Sequence, residues 1–254
     1  MFAVKKDKMN IFKFIKNSQE RNKKLFAILI DPDKQNEDNL IDLVERANNS
    51  SVDLFFLGGS LLERDNLDNC LNILKTNSTI PIVLFPGNTM QINSKADAIL
   101  FLSLISGRNA DTLIGKQVEA APILKQSNIE VLPTGYMLID SGQSTTASYM
   151  SNSTPIPSNK NSIAACTAMA GEMLGLKLIF LDGGSGALNP VSSSMIKSVR
   201  TVVQAPIIVG GGISTVEKAL ENCNAGADII VIGDAIEKQK KLIKQISNAI
   251  HNWR

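Results

Sequence analysis

Short runs of consecutive apolar residues punctuate this chain, and each ends in a cluster of Gly, Pro, Asp, Asn or Ser. The runs fall at residues 25–30, 54–57, 81–85, 98–102, 177–181, 206–209 and 228–232. Another opens at residues 130–132 and ends at Pro133-Thr134-Gly135-Tyr136. Unbroken apolar character marks strands covered on both faces, which is the condition of a parallel sheet. Between the runs, apolar residues return every three or four positions. Leu40, Ile41, Val44 and Ala47 do so over residues 37–49, and like spacing predicts helices over 67–76, 111–126, 163–174, 192–203, 215–224 and 235–252. A leading helix over 10–22 carries Ile11, Phe12, Phe14 and Ile15 on one side. Eight strands alternating with helices predict a closed parallel barrel rather than an open doubly wound sheet. One interval breaks the rhythm. A parallel crossover needs roughly 10–12 residues at minimum, and the third and fourth runs lie so close that a short or irregular element is predicted over residues 89–95. Residues 1–254 read as one barrel domain with a short N-terminal helix.

Composition narrows the function. A chain of 254 residues buries a large core without staples, and a net charge of +2 gives no push toward nucleic acid or a membrane surface. Cys70, Cys166 and Cys223 match no metal or redox spacing, which points to thiols in a reducing compartment. Residues 1–24 are rich in Lys and Asn and lack a signal-peptide core, and no apolar run is long enough for a bilayer. The expectation is a cytoplasmic protein with no stable membrane insertion. The sole histidine is His251, so acid–base chemistry falls to a carboxylate, Lys, Tyr or Cys. The polar stretch at residues 141–161 is either a mobile lid or an ordinary solvated loop.

The chemistry concentrates where the last three strands end. Asp182-Gly183-Gly184-Ser185-Gly186, Gly210-Gly211-Gly212 and Gly233-Asp234 are glycine turns that each precede a helical pattern. Glycine admits close backbone approach, and the loops after strands 7 and 8 of such barrels are a common phosphate site. Tight βα turns with no ligand are the plainer alternative. Asp31, directly after the first strand, and Ser60, after the second, offer oxygen ligands suited to Mg²⁺ arriving with a phosphorylated substrate. Helix capping by Asp31-Pro32-Asp33 is equally open. Asp182 could accept a hydroxyl proton beside a phosphate ester or cap a turn.

Taken together, several segments carry a resemblance. They are Leu29-Ile30-Asp31-Pro32-Asp33-Lys34, Phe56-Leu57-Gly58-Gly59-Ser60, Phe85-Pro86-Gly87-Asn88 and Pro133-Thr134-Gly135-Tyr136. Further on come Ser148-Tyr149-Met150-Ser151-Asn152, Pro155-Ile156-Pro157, Val209-Gly210-Gly211-Gly212-Ile213 and Ile232-Gly233-Asp234-Ala235-Ile236-Glu237. The chain resembles the geranylgeranylglyceryl phosphate / heptaprenylglyceryl phosphate synthase family, in its bacterial, Bacteroidetes-like branch, from about residue 25 to 237. The resemblance implies a modified (β/α)8 TIM barrel with a short irregular segment in place of helix 3. It implies Mg²⁺-dependent transfer of a polyprenyl group, such as geranylgeranyl, from its diphosphate to the C3 hydroxyl of sn-glycerol 1-phosphate, in a homo-oligomer. By position, Asp31 and Ser60 would be metal ligands. Phe180, Leu181, Asp182, Gly183, Gly184, Ser185, Gly186, Gly211, Gly212, Gly233 and Asp234 would hold glycerol phosphate, with Asp182 catalytic.

The chain departs from that pattern at four positions. The family usually has Tyr at Phe180, Glu at Asp182, Ala at Gly183, and Asn or Thr at Asp234. Besides a prenyltransferase, the sequence therefore admits a phosphate- or prenyl-diphosphate-binding barrel with an altered acceptor or a lost activity. A sugar-phosphate isomerase is less attractive, because no histidine lies near a strand end.

Overall fold

In the computed structural model, which describes residues 9–253, eight parallel strands close into a barrel in sequence order. They are β1 Leu25–Ile30, β2 Leu54–Leu57, β3 Ile82–Leu84, β4 Ala98–Leu104, β5 Glu130–Leu138, β6 Leu178–Asp182, β7 Ile207–Gly210 and β8 Ile229–Ile232. The ladder from Leu25↔Ile229 to Ile28↔Ile232 joins β8 back to β1 and removes the sheet edges. The part of the N-terminal expectation that falls on residues 1–8 lies outside the described residues.

Successive strand residues face opposite ways, so the strands serve two cores. Ala27, Phe56, Val83, Leu100 and Ile208 fill the barrel interior. Phe26, Ile28, Phe55, Ile207 and Ile230 pack outward against the helices. Burying such a side chain contributes roughly 1.5–3 kcal/mol, which explains why runs apolar at every position become these strands.

The helices are α1 Ile11–Glu20, α2 Glu37–Asn48, α3 Leu67–Asn77, α4 Lys116–Gln126, α5 Thr146–Met150, α6 Asn161–Met173, α7 Ser193–Arg200, α8 Val216–Ala225, α9 Asp234–Lys238 and α10 Leu242–His251. α1 closes the bottom of the barrel. Its Ile11 and Ile15 join the interior cluster, and Ile11 N and Phe12 N donate to the Glu130 carboxylate at 2.5 and 2.9 Å. That leaves the C-terminal end open.

Two expectations are modified. Residues 235–252 form α9 and α10 rather than one helix, and the helix expected from residue 111 opens with a π-helical turn at Asp111–Gly115. The short crossover after β3 is as expected: a single 3-10 turn, Thr89–Gln91, whose Met90 N donates to Asn88 Oδ1 at 2.9 Å. Gln91 is pinned to the neighbouring loop, accepting from Gly59 N at 3.2 Å and donating to Gly59 O at 2.8 Å. With no helix in that place, the outer face of β4 is left as a groove beneath α4. Ile92, Ile99, Phe101 and Leu124 line it.

Candidate active site

The turns after β6, β7 and β8 meet at the open end of the barrel. Gly211 has φ +81°, and a Cβ there would sit 2.6 Å from Gly183 N, so only glycine lets these two turns touch. Gly184, at φ +86°, likewise packs against Thr145, where a Cβ would come within 2.9 Å. Thr145 begins α5, and its side chain and Ser148 cap each other's backbone. Asn189 Nδ2 donates to Ser141 O at 3.1 Å, and Asp140 N donates to Ile156 O at 2.8 Å. The 141–161 stretch is thus laid over the site, with Ala147, Met150 and Ser151 facing the cavity.

Two donors of the glycine cup already have an acceptor. Asp234 Oδ2 takes Gly186 N–H at 2.7 Å and Ser185 Oγ–H at 3.2 Å. Its Oδ1 takes Lys34 Nζ at 2.6 Å. Burial alone would raise the pKa of Asp234, but the bonds from Lys34, Gly186 and Ser185 outweigh it and hold the pKa of this carboxyl below its ordinary value. Lys34 also lies 3.5 Å from Glu237 Oε2 and 3.8 Å from Asp31 Oδ2. Burial disfavours its charge, yet the Asp234 bond and the surrounding carboxylates raise it above the usual lysine value. One ammonium therefore serves three acids at the junction of β1 and β8.

Asp182 is buried at the end of β6. Its Oδ2 accepts from Tyr136 Oη at 2.6 Å and its Oδ1 from Gly184 N at 2.8 Å. Burial raises its pKa, and the two hydrogen bonds only partly offset that. Burial and the neighbouring carboxylate push the Tyr136 phenol well above its ordinary value, so it acts as a donor. Phe180 pairs with Tyr136 across the β5–β6 ladder, with ring centroids 5.5 Å apart, and stacks on Phe85 at 5.2 Å. These rings form an aromatic floor from which a carboxylate projects.

Asp31 and Ser60 form the third corner, both lining the cavity. Asp31 lies against Gly59, whose added Cβ would stand 3.2 Å from Asp31 Oδ1. Burial raises its pKa, opposed by the Asp33 N–H and by Lys34. Asp33 is engaged elsewhere, accepting Glu63 N at 2.6 Å and Arg64 N at 3.2 Å. Among the described residues no group of three or more His, Cys, Asp or Glu side chains could hold a metal. One half-buried carboxylate and one hydroxyl fit Mg²⁺ only as a partial set, with waters and phosphate oxygens of a substrate completing it.

A single cavity of about 620 Å³ joins all three corners and runs on into the groove beneath α4. Of the residues expected at the site, it is lined by Asp31, Ser60, Phe180, Asp182, Gly184, Ser185, Gly186, Gly211, Gly212, Gly233 and Asp234. Leu181 is not among them: strand alternation turns it into the outer core. Gly183 is not either, and its N–H is used by Gly210 O at 3.1 Å. Tyr136 lines the cavity, as its place at a strand end implies, and Lys34 and Glu237 line it without having been assigned there from sequence. Lys34 could have been suspected from the Asp31-Pro32-Asp33-Lys34 motif.

Residues 17–250 match the PcrB family. The chain is 57% identical to the geranylgeranylglyceryl phosphate synthase of Chitinophaga pinensis, covering 90% of each chain. It is 52% identical to the synthase of that name from Spirosoma linguale, covering 91% of this chain and 93% of the relative. The crystal structure of (S)-3-O-geranylgeranylglyceryl phosphate synthase from Thermoplasma acidophilum, in complex with its substrate sn-glycerol-1-phosphate, superposes with a TM-score of 0.90. It has 30% identity and covers 96% of this chain and 99% of that one. Among the described residues no helix is long and apolar enough to cross a membrane. The barrel, its glycine cup and these relatives agree: this chain belongs to the PcrB family.

Proposed function

We propose that this protein joins a polyprenyl diphosphate, such as geranylgeranyl diphosphate, to the C3 hydroxyl of sn-glycerol 1-phosphate, forming an ether. One observation carries the reading. The cavity is continuous from the glycine cup, past Asp31 and Ser60, into an apolar groove. Such a cavity takes a phosphate at one end and a hydrocarbon chain at the other, with a cation-binding corner between them.

The acceptor phosphate occupies the turns at Gly184, Ser185, Gly186, Gly211 and Gly212. Asp182 receives the C3 hydroxyl proton as the oxygen attacks the first prenyl carbon. The new C–O bond forms while the bond from that carbon to the diphosphate breaks, and diphosphate leaves with the electron pair. Burial strengthens Asp182 as a base, and Tyr136 Oη fixes its orientation at 2.6 Å. Asp31 and Ser60 would hold Mg²⁺, which when bound supplies charge neutralisation to the leaving diphosphate. Holding both substrates in one cavity converts a bimolecular encounter into a local one.

The test is transfer of label from radiolabelled sn-glycerol 1-phosphate into organic solvent, using a series of prenyl diphosphates with Mg²⁺ or with EDTA. Mg²⁺-dependent extractable label is expected, and Asp31→Ala should lower it by about 10³-fold. Undiminished turnover in that variant would remove Asp31 from the metal corner. A second reading is favoured by Asp234, which occupies donors a phosphate needs. It is a barrel that binds prenyl diphosphate but uses another acceptor. Calorimetric binding of prenyl diphosphate with no label transfer would select it.

A further inference from the structure

Gly186 N–H, Ser185 Oγ–H and Lys34 Nζ converge on the Asp234 carboxylate from three directions, at 2.7, 3.2 and 2.6 Å. A backbone amide, a hydroxyl and an ammonium are the donors that a phosphate monoester would accept from at this place. A carboxylate and a phosphate cannot share them, because the donors are few and the charges are alike. The Asp234 side chain is about one-third exposed at the cavity wall, unlike the closed Lys24–Asp228 pair at the other end of the barrel. It hangs from the first residue after Gly233, on a side chain with two rotatable bonds. Lys34 does not depend on it alone, since Glu237 and Asp31 carboxylates lie 3.5 and 3.8 Å from its Nζ.

We propose that Asp234 is an internal competitor for the acceptor's phosphate, a specificity-determining residue that sets a threshold for what may enter the cup. The inference rests on the reading that the cup receives a phosphorylated acceptor. In the free protein the carboxylate holds Gly186 N–H, Ser185 Oγ and Lys34 in place. A phosphate dianion, with more oxygens and more charge, displaces it; Lys34 keeps Glu237 as partner while Asp234 turns toward solvent. Ligands that carry only a carboxylate, or no charge, offer the donors nothing better than Asp234 already provides. The measured affinity for phosphate is then the intrinsic affinity reduced by the fraction of time the donors are free. The prenyl end of the cavity is unaffected.

The experiment is calorimetric titration of the full chain with inorganic phosphate and with sn-glycerol 1-phosphate, wild type against Asp234→Asn. Labelled-product kinetics are run in parallel. Asp234→Asn should tighten both ligands about tenfold or more, because a charge-assisted bond no longer opposes them. KM for the prenyl diphosphate should stay within about twofold. Unchanged or weaker phosphate binding in Asp234→Asn overturns the proposal. Asp234→Ser removes the charge by another route and carries the same expectation should the first variant not fold. The two readings fail separately. Tighter phosphate with no product from either protein leaves the competitor standing and sinks the transferase. Product formation with unaltered phosphate affinity does the reverse.

Discussion

Two aspartates bracket β8. Asp228 precedes it at the bottom of the barrel, and Asp234 follows it at the top. Asp228 accepts Ile207 N at 2.9 Å, Arg200 Nη1 at 3.0 Å and Gln19 Nε2 at 3.2 Å, with Lys24 Nζ 3.5 Å away. Asp234 gathers a similar set: one backbone amide, one hydroxyl and one lysine. The difference is what lies beyond. α1 covers Asp228, and its side chain is 8% exposed; Asp234 faces the cavity with 33% of its side chain exposed. In the closed network every partner is permanent, so the bonds lock strands and helices together. In the open one each donor can be handed to a ligand. Saturation of a carboxylate thus does not separate structure from function, but access to an exchanging partner does.

The sharpest way to break this comparison is Asp228→Ala. It strands Lys24 and part of Arg200 with uncompensated charge, so a loss of about 4 kcal/mol is expected, or roughly 10 °C in Tm for a chain of this size. Urea unfolding checks it, and the surviving folded fraction should bind phosphate as the wild type does. A network at the bottom that altered phosphate affinity would erase the distinction.

Tyr136→Phe comes next in size. It removes one of two hydrogen bonds from a buried carboxylate, and a bond to a charged group is worth roughly 1.5–3 kcal/mol, so kcat should fall about 10–100-fold. The sign of the pH effect follows from Asp182. Its folded pKa already lies above 3.8 because burial disfavours the charge, while the Tyr136 bond pulls it down. Without that bond the folded value rises further. The base then ionises only at higher pH, so the acidic limb of kcat against pH should move up. In the same window, from 3.8 to the folded value, the native state binds more protons than the unfolded chain, so stability falls with rising pH. A limb that stays put would assign the base elsewhere.

Much of this was legible beforehand, for physical reasons that can be named. The strands at 25–30 and 54–57 match β1 and β2 because a run buried on both faces admits little else. The missing helix after β3 was set by chain length alone. The split between α9 and α10 was hidden, since an apolar period passes through a turn unaltered. Leu181 stands inside a continuous motif in the sequence, although alternation along β6 turns it away from Phe180 and Asp182. The motif puts Lys34 near the site but not its partner: it reaches Asp234 only because β8 closes on β1, a contact spanning 200 residues. The competing-acceptor role proposed for Asp234 needs the same closure.

The smallest effect belongs to the bottom of the barrel and tests the comparison from the other side. His251 Nε2 lies 2.8 Å from Asp53 Oδ2. The hydrogen bond to Asp53 raises the imidazole pKa above 6.5, against opposing burial. A group with a raised folded pKa stabilises the native state fully below its unfolded value and loses that contribution as pH climbs through the folded one. His251 is the only histidine in the chain, so a decline in urea midpoint from about pH 6 upward that vanishes in His251→Gln identifies it. The side chain is 32% exposed, and solvent screening limits the decline to a few tenths of a kcal/mol. Because Asp53 and His251 sit at the closed end, phosphate affinity should be the same in the two proteins across this range. A matching change at the cup would mean that the two ends of the barrel are coupled, and that the closed network is not closed in its effects.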